Sequence, residues 1–155
     1  AGLEAIAEDG NIAPLSDEFL ASGNGSVDGV VGGAPVAPGS TVSQSFTIDP
    51  NAVDSRYLNY AAMVLPSNDI FIGNEDARAI AIFDESGLFI GANFVVPGAA
   101  AYDAGTEVND ELPANTAFFG QGAPNTGEDE GGVVEFSTGF LPAGSGGILD
   151  DPSWL

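Results

Sequence analysis

The chain reads as an all-β fold, an antiparallel β-sandwich with one or two short helices near its N-terminus. Three observations predict this. Twenty-two glycines and ten prolines among 155 residues suit many short strands joined by turns better than long helices. Several segments alternate apolar and polar residues or are apolar on both faces. A hydrophobic content of 44%, with ten Phe, three Tyr and one Trp, supplies bulk for the interior of a single domain spanning residues 1–155.

Taken in order, residues 2–9 (GLEAIAED) place Leu3, Ile6 and Ala7 at helical spacing, and Gly10 stops the helix. Residues 16–21 form a second short helix, capped by Ser16 with Leu15 and Leu20 as a staple. The Gly-, Ser- and Pro-rich stretch 22–40 is a long loop. In 41–48 (TVSQSFTI), Val42, Phe46 and Ile48 share one face, the pattern of a half-buried strand. Residues 57–65 (YLNYAAMVL) suit a central strand. Segments 79–83 and 88–96 flank Asp84-Glu85-Ser86-Gly87 as a hairpin, and 133–136 (VVEF) adds a further strand. Simple alternation of strand direction then makes 66–78 and 97–111 loops at the same end of the sheet, provided that 70–72 is not itself a strand.

Charge narrows the function. Two Arg, no Lys and 23 acidic residues give a net charge of −21. Such a surface repels phosphate backbones and anionic lipid, so nucleic-acid partners are not expected. It attracts divalent cations, which relieve self-repulsion. No apolar run approaches the roughly 20 residues of a membrane helix, so no membrane insertion is expected. Ala1 reads as the start of a processed, secreted chain. With no His, Cys or Lys, Ser-His-Asp and Cys-His catalysis, Schiff bases and histidine or thiolate zinc sites are excluded. Paired carboxylates alone remain for catalysis, without the aromatic-lined cleft a glycosidase needs. The chain is read as no enzyme.

Calcium is the better use of these carboxylates, since it takes six to eight oxygen ligands. The two expected loops supply them: Pro66-Ser67-Asn68-Asp69 on to Asn74-Glu75-Asp76, and Tyr102-Asp103-Ala104-Gly105-Thr106-Glu107 on to Asn109-Asp110-Glu111. Converging carboxylates repel one another unless a cation joins them. The further acidic stretch Glu128-Asp129-Glu130 reads as a solvated turn, with an added ligand as the alternative.

Three motifs carry a family resemblance: the run Gly2-Leu3-Glu4-Ala5-Ile6-Ala7-Glu8-Asp9-Gly10, the run from Met63 through Ser67, Asp69 and Phe71 to Gly73, and Tyr102-Asp103-Ala104-Gly105-Thr106-Glu107. Their order and spacing resemble the spondin domain of F-spondin and of bacterial secreted proteins. The resemblance implies a C2-like antiparallel β-sandwich with a Ca2+ site at one end, held by Asp69, Asp103 and Glu107; the loop reading adds Asn68 and Asp110 as neighbouring oxygen donors. The resemblance leads to the expectation that the domain's first and last strands are lacking here, either because the chain is a fragment of the domain or because partner chains supply them. The expected function is a non-catalytic calcium-binding domain, secreted or at the cell surface, acting in adhesion or extracellular matrix. The alternative is a self-assembling subunit of a calcium-dependent filament or surface layer, completed by strand exchange with other protein chains, copies of itself included.

Overall fold

The computed structural model describes residues 2–154, with Asp54 by its backbone alone; Ala1, read as a processed start, lies outside the described residues. The chain divides into two compact units. One comprises the residues up to Leu15, Tyr60–Asn74 and those from Phe94 onward; the other comprises Ser16–Asn59 and Glu75–Asn93.

The first unit is built on a four-stranded antiparallel sheet, β1 (Ala61–Met63), β2 (Ile70–Gly73), β3 (Tyr102–Asp103) and β4 (Glu135–Phe136), arranged in that order. Helix α1 (Gly2–Asp9) packs on β1 and β2. Its helical-period residues Ile6 and Ala7 are buried, and Ala7, Phe71 and Ala104 form a core cluster flanked by Leu3 and Tyr102. The helix stops at Gly10, as expected. Gly10 adopts φ +65°. Its N–H donates to the Ile6 carbonyl at 3.1 Å, and the Asn11 N–H donates to the Ala5 carbonyl at 2.9 Å. This closure needs a left-handed residue, which glycine supplies without strain.

Helix α2 (Ala13–Ser22) begins earlier than the expected residue 16. The Ala13 N–H donates to Asn11 Oδ1 at 3.3 Å, and Pro14 suits a first helical turn. Ser16 therefore lies inside the helix and donates to Asp28 instead of capping. Leu20 is 61% exposed, which leaves a staple little apolar surface to bury.

In the first unit the strand expectations need correction in three places. Of 57–65 only Ala61–Met63 form a strand, and β1 ends the sheet instead of lying at its centre. Residues 70–73 are a full strand, so 66–78 is not one loop. Segment 133–136 contributes only Glu135 and Phe136. In each case the ladder runs only as far as a neighbour pairs. Ala61 to Met63 stand opposite Gly73 to Phe71, Ile70 and Phe71 opposite Asp103 and Tyr102, and Tyr102 and Asp103 opposite Phe136 and Glu135.

The second unit contains the expected turn at 84–87. The Asp84 N–H donates to the Leu88 carbonyl and the Gly87 N–H to the Asp84 carbonyl, both at 3.0 Å. Phe83 and Phe89 stand opposite each other, and Gly87 takes φ +82°. The arms beyond reach only isolated bridges. Segment 41–48 keeps its alternation yet is no strand: among the described residues no backbone hydrogen bond joins it to a neighbour, and Val42 and Phe46 are exposed. Ser55 is the one buried residue described in this unit, so alternation there meets no apolar face to bury against.

Candidate metal centre

The site grows from the short link between β1 and β2. Ser67 is buried; its hydroxyl donates to the Val64 carbonyl at 2.6 Å and accepts the Ile70 N–H at 3.1 Å. The Val64 N–H also donates to the Ile70 carbonyl. These bonds reverse the chain and set Asn68 and Asp69 at the entry to β2. Because Ile70 stands opposite Asp103, Asp69 falls beside the turn that follows β3, and the Ala104 N–H donates to its carbonyl at 3.2 Å.

Asp69 is fully buried. Its Oδ2 accepts the Thr106 N–H at 2.8 Å, the Thr106 hydroxyl at 3.2 Å and the Glu107 N–H at 3.1 Å. Its Oδ1 is buried with no hydrogen-bond partner. An oxygen with free lone pairs in the interior is costly unless something electropositive meets it. Asp103, half-buried on β3, accepts the Gly105 N–H at 2.7 Å and an amide hydrogen of Asn109 at 2.6 Å.

The third carboxylate is Glu130. Residues 128–137 run as an arm along 101–108: the Val108 N–H donates to the Glu128 carbonyl, Glu130 to Thr106, Gly132 to Gly105 and Ser137 to Ala101. Between the pairs Asp103–Glu135 and Glu107–Asp129 the chain advances four residues on one side and six on the other. The surplus is a bulge at Gly131-Gly132-Val133, a device that re-aims neighbouring side chains. It is possible only beside a glycine: Gly105 has φ +67°, and a Cβ there would lie 2.6 Å from the Val133 nitrogen and oxygen. Across the bulge one carboxylate oxygen each of Asp69, Asp103 and Glu130 lies within 4.8 Å of the other two.

The electrostatics are one-sided. Burial raises the pKa of Asp103, and Asp69 and Glu135 add to the rise against the hydrogen bond from Gly105. Glu130 is raised by desolvation and by Asp103, Asp69 and Glu135. Glu107, 3% exposed, is pushed to about 7 by burial and by Glu8, Asp69 and Asp110. Its Oε2 also lacks a partner, and its carboxylate lies so close to Gly127 that a side chain there would collide with it. Glu8 of α1 is buried and raised as well, mainly by desolvation.

The structure brings Asp69 and Asp103 together and places Glu130 with them. Glu107 is joined to Asp69 through its backbone, while its carboxylate stands outside the converging group. Asn68 and Asp110 form a neighbouring strut: Asn68 Oδ1 accepts the Glu111 N–H at 3.1 Å, Asn68 Nδ2 donates to Asp110 Oδ1 at 3.3 Å, and Asn115 Nδ2 donates to Asp110 Oδ2 at 2.6 Å. Of the two readings of Glu128–Glu130, a solvated turn and an added ligand, the second fits Glu130, which converges with Asp69 and Asp103. Glu130 is exposed, as a turn residue would be, but it faces two carboxylates. Its acidity was visible in the sequence; the bulge that aims it was not.

Comparison of the chain with protein-family models, with curated proteins and with solved structures returned no match.

Proposed function

We propose that the chain is a non-catalytic calcium-binding domain whose Ca2+ sits among Asp69, Asp103 and Glu130. The observation that carries this reading is the convergence of three carboxylate oxygens within 4.8 Å around a fully buried Asp69 with one unpartnered oxygen. Calcium–oxygen distances are about 2.3–2.6 Å, so ligands on opposite sides of one ion stand about 5 Å apart. The donor set is oxygen only, which favours a hard cation over zinc or copper. The spondin-like motifs fall on the same segment ends, which supports extending the antiparallel sheet to a C2-like sandwich. That resemblance also supports a secreted or cell-surface setting and a role in adhesion or matrix with other protein chains as partners.

Thermal melting tests the reading. Millimolar CaCl2 should raise the Tm relative to EDTA, because a ligand that prefers the native state stabilises it by mass action. Asp69→Asn and Asp103→Asn should lose that rise. An unchanged Tm for the parent chain at saturating calcium would end the proposal.

A further inference from the structure

We infer that Glu130 is a ligand through which a bound divalent cation fastens the 128–137 arm to the sheet. The inference rests on the calcium reading and adds to it the part of the molecule the ion controls. Asp103 belongs to β3 and Asp69 stands at the entry to β2, the sheet's two middle strands, and Asp69 is held by three hydrogen bonds with no exposed surface. Glu130 alone comes from the arm. Its carboxylate lies within 4.8 Å of those of Asp103 and Asp69, both on the sheet side and both of its own sign. With no cation, this repulsion pushes the arm off β3; a divalent ion between the same oxygens reverses the sign.

Beyond its backbone hydrogen bonds to 101–108, the arm has little to hold it. Its β4 pairing covers two residues, and the bulge interrupts the ladder. Val133 is 75% and Phe136 60% exposed, and the stack of Phe136 on Tyr102 at 5.0 Å is its clearest apolar contact. Segments with few buried contacts and exposed backbone bonds open at low free energy, so one electrostatic contact shifts the balance between its open and closed states.

Hydrogen exchange on the full chain, in CaCl2 and in EDTA, tests this. The reporters are the amides of Glu130, Gly132 and Ser137, bonded to the carbonyls of Thr106, Gly105 and Ala101. Calcium should slow their exchange at least about tenfold in the parent chain, because an ion that binds only the closed arm lowers the population of the open one by mass action. Glu130→Gln should abolish that slowing while retaining a smaller calcium-induced rise in Tm from Asp69 and Asp103. Glu128→Gln, on the same arm but outside the cluster, should behave as the parent. Arm protection in Glu130→Gln equal to the parent's would overturn the latch and leave the calcium site standing. A parent chain whose Tm ignores calcium would overturn both.

Discussion

At the scale of single residues, Glu107 has the most to say about pH. Burial beside Glu8, Asp69 and Asp110 holds its pKa at about 7, against an ordinary 4.5. The folded chain therefore keeps a proton that the unfolded chain releases between those values. Stability from this group is greatest below about pH 4.5 and declines as pH rises towards 7, because the folded state then pays for a buried charge. In EDTA, Glu107→Gln should show a smaller fall in Tm between pH 4.5 and 7.5 than the parent; equal falls would show that Glu107 titrates normally. Glu107 was legible in the sequence as an acidic loop residue. Its separation from the converging carboxylates was not, because that depends on which way a side chain turns beside Gly127.

At the scale of elements, two contacts hold the site in place. Phe71 on β2 is buried against Ala7 and Ala104 and stacks on Tyr102 at 5.5 Å. Truncation to Ala should cost about 3–5 kcal/mol in chemical denaturation, the range for buried Phe. Gly105 lets the arm pass within reach of Asp69. Gly105→Ala combines a left-handed φ with backbone overlap at Val133 and should cost at least about 1–3 kcal/mol together with most of the calcium response. A Gly105→Ala chain with parental stability and calcium response would show that the bulge is not needed. The α1 stop at Gly10 was readable because helix ends are set by neighbouring residues. The strands were readable as segments, not as ladders: whether Val42 to Ile48 pairs is decided by another part of the chain.

At the scale of the whole molecule, the net charge of −21 sets the terms. Self-repulsion favours expansion, and salt screens it over about 10 Å at 0.1 M ionic strength. Raising NaCl from low to molar concentration should therefore raise the Tm of the calcium-free chain. The calcium response should persist in that salt, since Asp69 is shielded from solvent; a response erased by NaCl would mean diffuse counterion attraction. Stability should also be uneven. Amides of 41–48, which join no ladder, should exchange well before those of β2; matching rates would show that this segment is paired in solution.

The sequence by itself determined the short N-terminal helix and its end, the turn at 84–87, the absence of histidine, cysteine and lysine chemistry, and the concentration of carboxylates after β1 and β3. These follow from residues close together in the chain or from composition alone. Strand counting brought the acidic segments together for the wrong reason, since Ile70–Gly73 is a strand. Tertiary structure decided the rest: Asp69 meets Asp103 because β2 pairs with β3 in one register, and Glu130 joins them because a bulge opposite Gly105 carries it across. A register shifted by one residue would turn those side chains to opposite faces, and no local pattern specifies it.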